Sequence, residues 1–201
     1  METATRHQEQ PILNIIGEKV ALGPVRRDCL PLYLKWINDV DVARTLNADV
    51  TPVTLEARQD SYERWSKSDG TSQTFNVYER ATMRPIGTTW LMHIEFLHRT
   101  AGFGIVIGEK DCWGQGYGTE ATALTLDYAL IGLGLHNVML TVSPYNERGI
   151  RAYTRAGFRE FGRRREAWRL GGRVHDVIYM DCLATEFQSP VLRRLLSPAA
   201  S

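Results

Sequence analysis

Three glycines at every second position, set between an apolar extended run and an amphipathic helical pattern, most narrow what this chain can become. The run Phe103-Gly-Ile-Val-Ile107 reads as a strand, and Gly114, Gly116 and Gly118 make a turn. Tyr117, Ala121, Leu124, Tyr128 and Ile131 then recur at steps of four and three, one stripe of a helix. Glycine lets successive backbone N–H groups point at one place without Cβ interference. The N-terminus of the helix that follows adds unpaired donors and the positive end of its dipole. A turn of this kind is suited to holding phosphate.

Gly116-x-Gly118-x-x-Ala121 matches the dinucleotide pattern G-x-G-x-x-(G/A), which also requires the glycines directly after the strand and an acid about 20 residues on. Eight residues separate Ile107 from Gly116, and Asp127 is the only acid between Glu120 and Glu147. The dinucleotide pattern therefore fails on both counts. A P-loop fails too, because the chain contains no Gly-Lys pair. The other phosphate-binding reading, an acyl-coenzyme A pyrophosphate loop, rests on a resemblance. Trp113-Gly-Gln-Gly-Tyr-Gly118 followed by Thr-Glu-Ala resembles the first signature of the GNAT N-acetyltransferase superfamily, Gln or Arg followed by x-x-Gly-x-Gly/Ala. Trp113 stands where most of that superfamily has Arg or Gln. Trp-Gly-x-Gly is usual in its RimJ/RimL-like branch, the ribosomal-protein alanine and polyamine acetyltransferases.

A second motif follows 28 residues after Gly118. Asn146-Glu-Arg-Gly-Ile-Arg-Ala-Tyr-Thr-Arg-Ala-Gly-Phe158 resembles the other GNAT signature, Asn-x-x-(Ser/Ala)-x-x-x-Tyr-x-x-x-Gly-Phe. Gly149 departs from it, and glycine costs a helix roughly 1 kcal/mol relative to alanine. Two signatures in the right order are far more specific than either alone, and the resemblance covers about residues 17–187.

The rest of the chain fits the same order. Residues 20–25 read as a first strand, and Asp28 as the cap of a helix to Asn38 with Leu30, Leu34 and Ile37 inward. Asp39 or Asp41 caps a short helix, and Thr54 a third helix to about Trp65. Then the period changes to two. Residues 75–77 and 86–96 form antiparallel strands around a turn at 80–85, and Thr100–Ile107 the next strand. Gly132 and Gly134 stop the following helix, and Asn137–Val142 is a compact strand. Asn146 caps a helix that ends at Gly157, and residues 158–170 and 174–183 make a hairpin across Gly171-Gly172. This is α/β order. The resemblance implies a GNAT fold: a mixed central sheet of about seven strands, splayed in the middle, with helices on both faces. Residues 1–14 are expected as a flexible lead, 15–187 as the domain and 188–201 as a tail whose Leu192, Leu195 and Leu196 are able to dock.

Composition excludes other classes. A formal net charge of +1 gives no bulk attraction to nucleic acid or a membrane surface. The arginines at 159–173 are tempered by Glu160 and Glu166 and lack interleaved stacking aromatics beyond Phe161 and Trp168. Apolar stretches such as residues 128–135 are too short to span a bilayer, and the N-terminus is polar. Cys29, Cys112 and Cys182 are odd in number, widely spaced and without C-x-x-C, so no zinc site, metal or disulfide framework is expected and the cytoplasm is. Cys112 reads as a small buried filler rather than a nucleophile.

What the resemblance implies for chemistry is direct attack of a primary amine on acetyl-coenzyme A, without a covalent enzyme intermediate. The cofactor would lie between the splayed strands, against Ile105, Val106 and Ile107. Trp113, Gly114, Gln115, Gly116, Tyr117, Gly118 and Thr119 would hold its pyrophosphate, with Asn146, Arg151 and Tyr153 contributing from the second motif. A backbone amide near Val106 would steady the oxyanion, and Tyr153 would give the departing thiolate its proton. Many relatives carry Glu on the strand before the glycine loop, in an Ala-Glu-x-Gly setting, whereas this chain has Ala101-Gly102-Phe103-Gly104. Glu95 and His98 are the nearest substitutes. Asp39, Asp41 and Asp49 fall in the helical insert that flanks the acceptor site in relatives, where acids would attract a cationic amine. The acceptor is a protein N-terminus or a small amine, a homodimer is left open, and the alternative is a non-catalytic acyl-coenzyme A sensor of the same fold.

Overall fold

The computed structural model describes residues 10–46, 51–67 and 69–197. One mixed sheet organises them, built from β1 (Ile15–Ile16), β2 (Val20–Pro24), β3 (Gln73–Glu79), β4 (Pro85–Glu95), β5 (Thr100–Ile107), β6 (Asn137–Val142), β7 (Arg159–Leu170) and β8 (Arg173–Leu183). Their spatial order is β1-β2-β3-β4-β5-β6-β8-β7. Only β5 and β6 run parallel; every other neighbouring pair is antiparallel. The expected seven strands become eight because Ile15 and Ile16 pair with Leu22 and Ala21. Two residues are too few for a period-2 pattern to show in the sequence.

Helices cover both faces. α4 (Tyr117–Asp127) and α5 (Glu147–Ala156) share one face. There Leu124 and Ala121 meet Val20, Leu22, Phe75 and Val77, while Leu126, Ala156 and Phe158 meet Phe103, Val138 and Leu140. α1 (Leu30–Asn38), α2 (Val40–Ala43) and α3 (Leu55–Ser66) pack on the other face. The inward stripe of α1 is Leu30, Tyr33 and Trp36, not Leu30, Leu34 and Ile37. The two aromatic rings win the buried positions because each takes far more apolar surface out of water than an aliphatic neighbour, at about 25 cal/mol per Å². Asp28 does not cap α1. It lies in a 3-10 turn and pairs with Arg26 at 2.6 Å. Asp39 and Thr54 do cap α2 and α3, accepting from the amides of Asp41 and Ala57.

The ends of the domain are tied down where they are described. The Asn14 amide donates to the Leu22 carbonyl at 2.7 Å. After α4 the chain continues as a π-helical turn, Tyr128–Gly132. The fully buried Asp127 carboxylate accepts from Ser189 Oγ (2.5 Å) and from the amides of Val191 (2.9 Å) and Leu192 (2.7 Å). That anchors α6 (Leu192–Leu196), with Leu192 packed on the core and Leu195 and Leu196 exposed.

Candidate active site

The parallel β5–β6 ladder is short. Thr100, Ala101 and Gly102 pair with Asn137, Val138 and Met139, and there it stops. Beyond Gly102 the two strands part, leaving the β6-facing edge of residues 103–107 with backbone donors and acceptors unpaired by sheet. A cleft of about 360 Å³ occupies the gap, floored by Ile105, Val106 and Ile107 and walled by the glycine turn and α5.

The turn is built by two left-handed residues, Gly114 at φ +78 and Gly116 at φ +88, the latter capping α4. A side chain at either would be strained. Gly118 differs. It sits inside the helix without positive φ, and a Cβ there would meet Ile107 Cγ1 at an ordinary 3.6 Å. Trp113 Nε1 donates to the Ile107 carbonyl at 2.7 Å, fastening the turn to the end of β5. Its ring carries the Arg148 guanidinium 4.0 Å above the centroid. The Glu120 carboxylate accepts from the amides of Glu18 and Lys19, and Lys19 Nζ reaches the Gln115 carbonyl at 3.2 Å. A cation therefore sits at the mouth of the turn, beside the unpaired amides of the first helical turn.

From the other wall, α5 presents Arg148, Arg151 and Arg155 to the cleft. Arg151 is also bonded to Glu147 at 3.2 Å. Asn146 lines the cleft as well, but both ends of its amide are engaged: Oδ1 accepts from the Gly149 amide at 3.0 Å and Nδ2 donates to the Thr45 carbonyl at 3.3 Å. The latter bond brings the end of the α2 segment over the cleft. The Asn146 amide also explains Gly149, where a Cβ would lie 2.6 Å from Asn146 Nδ2.

Tyr153 reaches the cleft from α5. Its ring packs edge-on against Phe103 and Phe158, both at 6.1 Å between centroids. Among the described residues its hydroxyl has no hydrogen-bond partner in the protein. Removal from water pushes the phenol up to about 12, so it keeps its proton at neutral pH. Cys112 is buried beside the turn and accepts from Arg84 Nη2 at 3.1 Å. Burial raises its thiol, which removes it as a nucleophile near neutral pH.

Glu95 and His98 do not come to the cleft. Glu95 pairs with Thr100 at the far end of β5, six residues from Val106. At about 3.3 Å per residue that is on the order of 20 Å. Its carboxylate accepts from the Leu97 amide within the turn, and His98 is exposed in the same turn. The space where the Ala-Glu-x-Gly pattern would put a carboxylate is apolar. Met92 Cγ would lie 3.0 Å from a Cβ on Gly102, and the Trp90 indole 2.3 Å from one on Gly104. Asp39 and Asp41 are not free for a cationic acceptor either, since Lys110 holds both at 2.7 and 3.0 Å. Asp49 lies outside the described residues.

On the opposite face of β4 and β5 is a second cavity of about 780 Å³, between the sheet and α1 and α3. Trp36, Trp65, Trp90 and Met92 give it an aromatic and apolar wall, and Val106 lines both cavities. At its base Tyr33 Oη bonds Asn76 Oδ1 at 2.5 Å. Nothing local in the sequence singles out Lys19, Arg148 or Thr45: Arg148 and Thr45 come to line the cleft, and Lys19 to lie beside the glycine turn, only through tertiary folding. Arg148 lies beside Gly149 in the second motif, and its step of three from Arg151 is the signal that would have found it.

An open strand edge, the glycine turn with Gly118 lining the cleft, three arginines on its wall and Lys19 beside the turn fit the amides, pyrophosphate and phosphates of coenzyme A. Comparison with known proteins agrees. The model of the Acetyltransferase (GNAT) domain matches residues 19–159. Spermidine N(1)-acetyltransferase of Vibrio cholerae is 28% identical over 156 residues, 77% of this chain and 89% of that protein. Human alpha/beta-tubulin-N-acetyltransferase 9 is 27% identical over 73% of this chain and 75% of its own length. The crystal structure of the Vibrio cholerae spermidine N-acetyltransferase with CoA and spermine superposes with a TM-score of 0.77 at 25% identity, covering 85% of this chain and 98% of that one. The chain belongs to the GNAT family of acetyltransferases, and is an N-acetyltransferase whose acetyl donor is acetyl-coenzyme A.

Proposed function

We propose that this enzyme acetylates a small primary amine by direct attack in a ternary complex, the donor entering from the β5–β6 cleft and the acceptor from the cavity under α1 and α3. The observation that carries the proposal is the meeting of the two cavities at Val106. The Trp113-Gly-Gln-Gly form of the turn supports membership of the RimJ/RimL-like branch. The relatives named for spermidine support a small-molecule acceptor over a protein N-terminus. Three cysteines that are all free support a reducing, cytoplasmic setting.

When bound, acetyl-coenzyme A supplies an electrophilic thioester carbonyl and a thiol leaving group. The free edge of residues 105–107 pairs with the amides of its arm as it would with an added strand. Amides of Gly116, Tyr117, Gly118 and Thr119 take the pyrophosphate at the start of α4, with Lys19 and Arg148 adding charge. A backbone amide of the β5 edge near Val106 would donate to the carbonyl oxygen as charge develops there, Val106 itself being paired with Thr88 of β4. Tyr153 Oη holds the proton that the departing sulfur takes, and its raised pKa keeps that proton in place until needed. The acceptor arrives as an ammonium and becomes nucleophilic only after losing a proton. With Glu95 and His98 remote, water carries that proton away.

A stopped assay of acetyl transfer from labelled acetyl-coenzyme A to a panel of amines and N-terminal peptides tests this. Transfer to a small amine by the native enzyme, lost in Tyr153→Phe, is the expected result. Binding of acetyl-coenzyme A without transfer to any amine or peptide would favour the sensor reading instead.

A further inference from the structure

The cavity under α1 and α3 holds a group that the fold leaves uncompensated. Arg58, on the inner face of α3, is 9% exposed and lines this cavity. Its Nε is buried with no acceptor. Among the described residues its side chain makes no hydrogen bond or ion pair, and its guanidinium only faces the Trp65 ring at 5.1 Å. A buried guanidinium nitrogen without an acceptor is costly to a fold, and native proteins rarely leave a buried polar group unsatisfied without a reason. Desolvation alone lowers the Arg58 pKa, with no neighbouring carboxylate to offset it.

Among the described residues, the other charges around the cavity do not supply the missing anion. Glu63 is bonded to Arg27 and lies 3.7 Å from Lys67. Asp69 Oδ1 accepts both the amide and the hydroxyl of Thr71 at 2.8 Å. Arg64 and Lys67 add further positive charge at the rim. A polycation would meet three cations and two engaged carboxylates. A carboxylate would instead find a planar guanidinium that pairs with two oxygens, in a site where desolvation strengthens the bond. The walls beside it, Trp36, Trp65, Trp90 and Met92, suit an apolar or aromatic body.

We infer that the acceptor is an amino-carboxylate: a primary amine on an apolar or aromatic skeleton whose carboxylate docks on Arg58, its amine directed to Val106. This rests on the proposed acetyl transfer and narrows its acceptor. A site built to pair a charged group rejects the analogue that lacks it far more strongly than a hydrophobic pocket rejects a missing methylene.

Three tryptophans in the cavity wall give a direct readout. Tryptophan fluorescence should be titrated with matched pairs that differ only in the carboxylate: phenylalanine and phenethylamine, tryptophan analogues excluded, leucine and isoamylamine, and with spermidine. Acetyl transfer to each is measured in parallel. At least one amino-carboxylate should bind about tenfold more tightly than its decarboxylated partner. Arg58→Met, which keeps the length and apolar stem of the side chain, should remove that difference while the acetyl-coenzyme A melting shift is retained. No carboxylate preference in any pair, tighter binding of spermidine, or a preference that survives Arg58→Met would overturn the inference. Loss of the acetyl-coenzyme A shift in the native enzyme would instead strike the acetyltransferase proposal, so the two failures are distinguishable.

Discussion

The donor cleft and the acceptor cavity share one residue, Val106, yet they are made in opposite ways. The donor side is built largely from backbone: a strand edge released from its partner, two left-handed glycines and the first turn of a helix. The acceptor side is built from side chains, tryptophans on β4, α1 and α3 around a buried arginine. Backbone recognition suits a donor that stays the same. Side-chain recognition lets the acceptor change while the fold persists, since specificity lies in groups grafted on a shared scaffold.

Substitutions can break or sharpen this contrast. The largest effect belongs to Tyr153, which faces the donor side but acts on chemistry. Tyr153→Phe keeps the ring packing against Phe103 and Phe158, and should lower kcat by about 100-fold or more with the KM for acetyl-coenzyme A unchanged. The native pH profile carries the same signature. A pKa raised to about 12 means the proton is lost later, so no alkaline limb from the loss of this acid should appear below about pH 11. Activity should climb with pH as the acceptor ammonium deprotonates, then level off. A falling limb near pH 10 would argue for an unperturbed phenol.

A smaller effect, confined to donor affinity, is expected at Gly118. The Cβ of Gly118→Val meets Ile107 only at ordinary contact and the position needs no unusual φ, so the melting temperature should move by only a few degrees. The β-branched side chain would fill the space over the turn, and calorimetry should show acetyl-coenzyme A affinity down by about tenfold or more. Unchanged affinity would place the pyrophosphate elsewhere. The smallest effect is on the acceptor side. Asp41→Asn should change kcat/KM for any amine by less than about twofold, because Lys110 already neutralises both Asp39 and Asp41. A large loss with cationic acceptors alone would return those acids to the site.

The same division decides how much was legible in the sequence. Glycines at 114, 116 and 118, the Asn146 cap and Tyr153 are local features, and the strand, turn and helix around them follow from spacing within short windows. The acceptor side depends on contacts across long separations. Nothing near Arg58 announces that it is buried, and the apolar cover over Gly102 and Gly104 comes from Met92 and Trp90 on the neighbouring strand. Glu95 and His98 are the nearest substitutes in sequence for the carboxylate missing at Ala101–Gly104, but the turn between β4 and β5 holds them at the far end of β5 from Val106. The α1 stripe was misassigned because the aliphatic residues fit the helical period as well as the aromatic ones that are buried.

Direct transfer where the two cavities meet is tested most plainly by initial rates measured with acetyl-coenzyme A and the best amine of the panel both varied. Attack within a ternary complex gives double-reciprocal lines that intersect. Parallel lines, together with an acetyl group found on the protein by intact mass after incubation with acetyl-coenzyme A alone, would contradict it and point to a covalent carrier.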